Sequence, residues 1–271
     1  MCIRDRVSVM CRCSQTPAGS PAPHDRDVTL GHDGATFGHD DEMRRLLPDP
    51  AENIDVEEAY AGPLGRHRDD HAPWVTLSMV ASIDGSTVID GRSGQLSSPT
   101  DSAVFAQLRS LADVIVVGAA TVRQEGYGPP SKTGQRVGVV TSRGSVDLDT
   151  ELFASGAGFL IVPEDSSFEP GRDVDVVRAG RGRVDPTLAI RRLPELLGSC
   201  SVVQAEGGAG LNGALVDADV VDEMNITTSP ATVGGDGRRL TVGAAAHLHR
   251  FDLAQLAVDD GFLYARWLRR R

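Results

Sequence analysis

Ser201-Val202-Val203-Gln204-Ala205-Glu206-Gly207-Gly208-Ala209-Gly210-Leu211-Asn212-Gly213-Ala214-Leu215-Val216-Asp217 is the stretch whose reading decides the fold. Val202 to Ala205 has the length and apolarity of a short buried strand, and Glu206 to Gly210 turns it into a helix expected to begin near Leu211. Bare backbone at such a junction leaves the first helical N–H groups unpaired and lets an anion approach them, with the helix dipole adding to the attraction. Gly207, Gly208, Ala209, Gly210, Leu211 and Asn212 therefore read as a phosphate-binding turn. The Glu206 carboxylate, at the strand's last position, faces whatever is bound beside it.

Gly208 to Gly213 spells G-x-G-x-x-G, the dinucleotide fingerprint, but the surrounding unit does not fit it. A Rossmann unit needs its next strand to end in Asp or Glu about 20 residues on. Here the next strand opens on Asp222-Glu223 and ends in Thr227-Thr228-Ser229, and little more than a hairpin follows. The alternative is one open sheet with phosphate contacts at several strand ends. Val114-Ile115-Val116-Val117 is apolar throughout, as a central parallel strand covered on both faces must be, and it runs into Gly118-Ala119-Ala120-Thr121. Val137 to Thr141 runs into Ser142-Arg143-Gly144, whose hydroxyls and guanidinium suit a phosphate monoester. Three such strand ends can share one extended dinucleotide.

Outward from these loops, the remaining elements follow from pattern. Trp74 to Val80 is a strand closed by the turn Ala81-Ser82-Ile83-Asp84-Gly85. Ser98 before Pro99 starts a helix whose apolar face is Val104, Phe105, Leu108, Leu111 and Ala112. Phe159 to Val162 and Val174 to Val177 read as strands, and Asp185 caps a helix to Leu197 with Pro186 in its first turn. Val221 to Thr228 alternates as a strand. Phe251 to Val258 and Phe262 to Trp267, joined by Asp259-Asp260-Gly261, form a terminal antiparallel hairpin. Upstream, Glu52 to Ala61 is read as a short helix. The fold class is α/β, a mostly parallel central sheet flanked by helices with an antiparallel end.

The sequence has 271 residues, a formal charge of −11 and 40% hydrophobic residues. Residues 1–42 mix Gly, Pro, His and Asp without apolar period and read as disordered or as a non-native extension; residues 43–271 read as a single domain with its regular core at about 73–268. The acidic balance disfavours nucleic acid. No apolar run approaches the roughly 20 residues that span a bilayer. Of Cys2, Cys11, Cys13 and Cys200, three lie in the head, and no zinc spacing or disulfide framework emerges. A reducing, cytoplasmic setting without a metal is expected. Hydrolysis is disfavoured because no Gly-x-Ser-x-Gly elbow occurs.

The ordered set Ser82-Ile83-Asp84-Gly85, Gly91-Arg92-Ser93 with Ser98-Pro99, Leu108-Arg109 with Ala112-Asp113, Gly118-Ala119-Ala120-Thr121-Val122, Glu206-Gly207-Gly208, Val221-Asp222-Glu223 and Gly234-Gly235 resembles the pyrimidine reductases of riboflavin biosynthesis. That family has a dihydrofolate-reductase-like fold, commonly forms homodimers and reduces the ribosyl group of 5-amino-6-(5-phosphoribosylamino)uracil with NADPH. The resemblance implies that Val80, Gln95, Gly118, Thr121, Glu125 and Ser142 lie beside the dinucleotide, with Gly207 to Asn212 around its phosphates and Arg143 on the adenosine 2′-phosphate. It puts Ser93, Arg109, Lys132 and Glu206 on the substrate, with Arg109 or Lys132 meeting the ribose phosphate. The proton donor nominated is Asp84, whose other reading is a turn residue capping backbone N–H groups. The chain departs from the family pattern at Arg123 to Pro130 and at Gln95, both on the substrate side. The His-x-Glu and Pro-Cys-x-x-Cys zinc signature of the accompanying deaminase does not occur, so deamination is not expected. Two further readings stand beside this one: a reductase of another heterocycle such as dihydrofolate, and a nucleotide-binding protein without catalysis.

Overall fold

A computed structural model describes residues 43–63, 71–171 and 173–271. The head, residues 1–42, with Cys2, Cys11 and Cys13, lies outside the described residues. In chain order the elements are β1 (Met43–Leu47), β2 (Ala51–Ile54), α1 (Val56–Ala59), β3 (Trp74–Ser82), α2 (Pro99–Leu111), β4 (Val114–Gly118), α3 (Ala119–Glu125), β5 (Arg136–Val140), α4 (Glu151–Ala154), β6 (Gly158–Val162), β7 (Val176–Arg178), α5 (Pro186–Leu197), β8 (Val202–Ala205), α6 (Ala209–Asp217), β9 (Glu223–Ser229), β10 (Phe251–Asp259) and β11 (Phe262–Arg269). The strands form one sheet in the order β2-β1-β10-β11-β9-β3-β8-β4-β5-β6-β7. From β9 to β7 every pairing is parallel, and from β9 outward through β11, β10, β1 and β2 every pairing is antiparallel.

Local chemistry explains most of these boundaries. Ser98 caps α2 by accepting the Asp101 N–H at 3.0 Å, with Pro99 in the first turn, where a missing N–H does no harm. Asp185 does the same for α5 through the Leu188 N–H. β4 is buried along its length because both of its faces are covered. Val114 and Val116 pack with Phe159, Ile161 and α5 on one side; Ile115 and Val117 pack with Val137, Val139, Leu160 and α4 on the other. Asp113 ties the end of α2 to β8 by accepting the N–H groups of Ser201 and Val202. Cys200 packs half-buried beside the first of these clusters, its thiol pushed up to about 12 by burial and by Asp113.

Expectations change at three places. Glu52 to Ala61 is not one helix: Ala51–Ile54 is a strand on β1, and only Val56–Ala59 is helical. Met43–Leu47 is a strand paired with β10, with Arg44 opposite Val258. The helix of the opening stretch also starts at Ala209 rather than near Leu211.

Toward the antiparallel end, one sheet face is buried yet polar. Thr76, Gln204, Glu223, Asn225 and Arg266 are neighbours in register there. Arg266 donates from Nε and Nη2 to Glu223 Oε1 at 3.2 and 2.8 Å, and to the carbonyls of Ala59 and Gly62. Its guanidinium lies 4.7 Å from the Tyr60 ring centroid, and Trp74 Nε1 donates to Glu223 Oε2. This network welds α1 and the chain after it to β9 and β11.

Candidate active site

Parallel strands bring their C-terminal ends to one rim, the usual place for a ligand in an open α/β sheet. Two cavities open there, one of about 740 Å³ and one of about 470 Å³, and both are lined by Thr121, Gly208, Ala209 and Arg238. The rim is tight where they meet. Gly118 N–H donates to the Gly207 carbonyl at 2.7 Å, tying the end of β4 to the glycine turn. A Cβ on Gly208 would lie 2.8 Å from Thr121 Oγ1, so only glycine lets α3 and α6 approach this closely.

The smaller cavity receives Gly118, Thr121, Ser142, Arg143, Gly208, Ala209, Gly210 and Leu211 of the expected cofactor set. Among the described residues four arginines line it, Arg123, Arg143, Arg183 and Arg238, and no Asp or Glu does. In a chain of net charge −11 that is a local reversal of sign. The N-termini of α3 and α6 open onto it, adding unpaired N–H groups to the cationic field. These residues fit a phosphate-rich dinucleotide: backbone room at Gly208, hydroxyls at Thr141 and Ser142, and guanidinia at the far end.

The larger cavity receives Val80, Ser93, Thr121, Glu125, Glu206, Gly208 and Ala209. Its charge is opposite: among the described residues Asp90, Asp101, Glu125, Glu206 and Asp236 line it, with Arg238 the one cation. Glu125 Oε1 accepts the Ser93 N–H at 2.9 Å, joining an expected cofactor residue to an expected substrate residue. Glu206, its side chain 1% exposed, accepts Arg109 Nε on Oε1 and Nη2 on Oε2, both at 2.7 Å, and the Tyr127 hydroxyl on Oε2 at 2.8 Å. The Arg109 guanidinium sits 4.5 Å from the Phe105 ring centroid and 5.3 Å from that of Tyr127. Burial works against the Arg109 charge, but the Glu206 hydrogen bonds and charge outweigh it and hold the guanidinium above its ordinary value. Burial, then the Glu206 charge, pushes the Tyr127 hydroxyl well above its ordinary value, so it is a neutral donor.

Six expected residues line neither cavity. Arg109 stands behind Glu206, and Gly207 is engaged with Gly118. Asn212 is fully buried and donates to the Leu240 carbonyl at 2.9 Å, holding the later chain against α6. Gln95 is exposed. Lys132 donates to the carbonyls of Ser110 and Ala112, both at 2.8 Å, and so satisfies the C-terminus of α2. Asp84 accepts the Ser82 hydroxyl at 2.5 Å and the N–H groups of Val233 and Gly234. The Ser82 hydroxyl first, then the N–H groups of Gly234 and Val233, draw its carboxyl down to about 2. A group held that way is an acceptor that pins a loop, not a reservoir of protons at neutral pH.

A pH dependence follows from Asp84. Its folded value lies below the ordinary 3.8, so its contribution is present above 3.8 and is lost as pH falls through about 2. Asp84→Asn is expected to be less stable than the unaltered protein at neutral pH, with the gap closing in acid. Urea midpoints measured at neutral pH and near pH 2 check this, and a gap that stays constant would contradict it.

Tyr127, Phe105, Asp101, Arg183 and Arg238 were not anticipated as site residues. Asp101, Phe105 and Arg109 stand four apart on α2, a spacing that puts all three on one face. Arg183 and Arg238 each follow a glycine in a loop and carry no comparable signal.

Residues 73–261 match the family model of the RibD C-terminal domain. The 2,5-diamino-6-ribosylamino-4(3H)-pyrimidinone 5′-phosphate reductase of Methanothermobacter thermautotrophicus is 27% identical over 187 residues, covering 63% of this chain and 84% of that one. The riboflavin biosynthesis protein RibD of Bacillus amyloliquefaciens is 28% identical over 181 residues, 60% of this chain, and the match spans 47% of that protein. A pyrimidine reductase-like protein from Corynebacterium diphtheriae shares the fold, with a TM-score of 0.68 at 20% identity over 80% of this chain and 100% of that one. Since the family match covers most of the chain, including every strand from β3 to β10 and the rim with both cavities, the protein belongs to the RibD C-terminal domain family.

Proposed function

We propose that this chain is an NADPH-dependent reductase of the riboflavin type, reducing the ribosyl group of 5-amino-6-(5-phosphoribosylamino)uracil to ribityl. The diaminopyrimidinone for which the Methanothermobacter relative is named differs from this substrate at ring position 2 and is its nearest alternative. The observation that carries the reading is the division of charge along one rim. A cavity lined by arginines and helix N-termini suits the cofactor's phosphates, and it meets an acidic cavity rich in acceptors for hydroxyl and ring N–H groups. When bound, the reduced nicotinamide supplies the hydride. Arg143, with Ser142 and Arg183, is the natural partner of a 2′-phosphate, which favours NADPH over NADH.

A homodimer belongs to the same reading. The β9, β10 and β11 face opposite the polar network carries Met224, Ile226, Leu253, Leu256, Leu263 and Trp267 in register and leaves them half-buried or exposed, so a second copy would complete their burial. Cytoplasmic residence is proposed with it. Among the described residues, no helix is long and apolar enough to cross a membrane.

Titrating purified full-length protein with NADPH and NADH, then assaying both pyrimidines and dihydrofolate, tests this function. Tighter binding of NADPH is expected, with Arg143→Ala losing about tenfold of that preference. Light scattering on the same preparation should give the mass of two chains. Absence of binding by either cofactor would remove the reductase reading, and turnover of dihydrofolate alone would move the substrate to another heterocycle.

A further inference from the structure

The phosphate of a phosphoribosyl substrate has no obvious place in the larger cavity. Five carboxylates line it, and at a few ångströms each repels an anion. The two basic residues that the family pattern offers are committed elsewhere. Arg109 spends Nε and Nη2 on Glu206 with its guanidinium stacked beside two aromatic rings, and Lys132 is bound to the α2 carbonyls.

Arg238 remains. It is the one cationic side chain lining the acidic cavity, it stands where the two cavities meet, and it has neither a carboxylate partner nor a side-chain hydrogen bond among the described residues. Although its guanidinium is exposed, its root is fixed. The Thr87 N–H and hydroxyl both donate to the Arg238 carbonyl at 2.9 Å. Just before it, Gly237 lies so close to Ser86 that a Cβ would come within 2.1 Å of Oγ. The loop is anchored upstream by the Asp84 carboxylate on Val233 and Gly234, and downstream by Asn212 on the Leu240 carbonyl. A free guanidinium on a fixed backbone is preorganised for a phosphate, which it meets with two parallel N–H donors.

We propose that Arg238 is the anchor for the substrate's 5′-phosphate, held in place by Thr87 and by the Asp84-pinned loop, and that it supplants Arg109 and Lys132 in that role. The assignment rests on the phosphoribosyl reading given above. It makes Asp84 a positioning residue, acting through the loop that carries Arg238.

The test is calorimetric titration of ribose 5-phosphate and ribose into full-length protein, with and without saturating NADP⁺, alongside steady-state kinetics. The expected result is that ribose 5-phosphate binds more tightly than ribose whether or not NADP⁺ is present. Arg238→Ala should lose about tenfold of that affinity and raise KM for the phosphoribosylaminopyrimidine by a similar factor, with kcat little changed and a smaller change in the NADPH dissociation constant, since Arg123, Arg143 and Arg183 still line the cofactor cavity. Three outcomes would overturn the proposal: Arg238→Ala binds ribose 5-phosphate normally, NADP⁺ displaces ribose 5-phosphate, or the variant weakens NADPH while sparing the sugar phosphate. If the sugar phosphate binds through Arg238 but neither pyrimidine is reduced, the phosphate assignment stands and the reductase reading falls.

Discussion

Glu223→Ala is expected to lower stability by about 3–5 kcal/mol, the cost of leaving one member of a buried ion pair alone. Arg266 is 3% exposed and Glu223 0%, so water cannot replace what is removed. The guanidinium would keep the Ala59 and Gly62 carbonyls and the Tyr60 ring, which satisfy hydrogen bonds without neutralising a charge. In a domain of this size the loss corresponds to a fall in melting temperature of roughly 10 °C. The double variant Glu223→Leu with Arg266→Met removes both charges and is expected to lie within about 2 kcal/mol of the unaltered protein, because a well-packed apolar pair is often no worse than a buried ionic one. Chemical denaturation of the three proteins checks both statements. A single variant that loses less than about 1 kcal/mol would mean that water reaches Arg266 after all.

What the sequence revealed of this molecule was mainly what neighbours in the chain determine. Ser98-Pro99 and Asp185-Pro186 announce α2 and α5 because a cap acts within one turn. Val114 to Val117 announces a central strand because covering both faces removes all alternation. β1 was invisible because its partner, β10, lies more than 200 residues later, and nothing local distinguishes Met43–Leu47 from loop. The spacing of Ile54, Val56, Ala59 and Tyr60 fits a helix, yet Ile54 is buried from a strand that exists only because β1 is there to pair with it. At the rim the same division holds. The glycine turn and Ser142-Arg143 were legible, since their chemistry is in their own backbone and side chains. Tyr127 was not, because its role is a contact with a carboxylate 79 positions away. Lys132 has the right charge for a phosphate but is bonded to the α2 carbonyls and lines neither cavity, a placement that only the folded chain reveals.

Around Glu206 the expected effects are on turnover, and their order is the informative quantity. Glu206→Ala removes the carboxylate that faces the larger cavity and leaves Arg109 and Tyr127 without their shared acceptor; a drop in kcat/KM of about a hundredfold or more is expected, the scale on which a misplaced contact acts. Arg109→Met keeps the stem that packs on Phe105 but strips a 1%-exposed carboxylate of its counter-charge, so it should lose both activity and about 3–5 kcal/mol of stability. Tyr127→Phe deletes one hydrogen bond to a charged group, about 1.5–3 kcal/mol, and leaves the ring in place beside the guanidinium, so it should be the mildest of the three. None should weaken NADPH binding by more than about threefold, because the arginine-lined cavity and the helix N-termini that favour its phosphates lie beyond Gly208, away from this cluster. Steady-state kinetics with parallel cofactor titrations separate the two. A Glu206→Ala protein that loses cofactor affinity in proportion to turnover would show that Glu206 acts by shaping the glycine turn that follows it, and its assignment to the substrate would have to be given up.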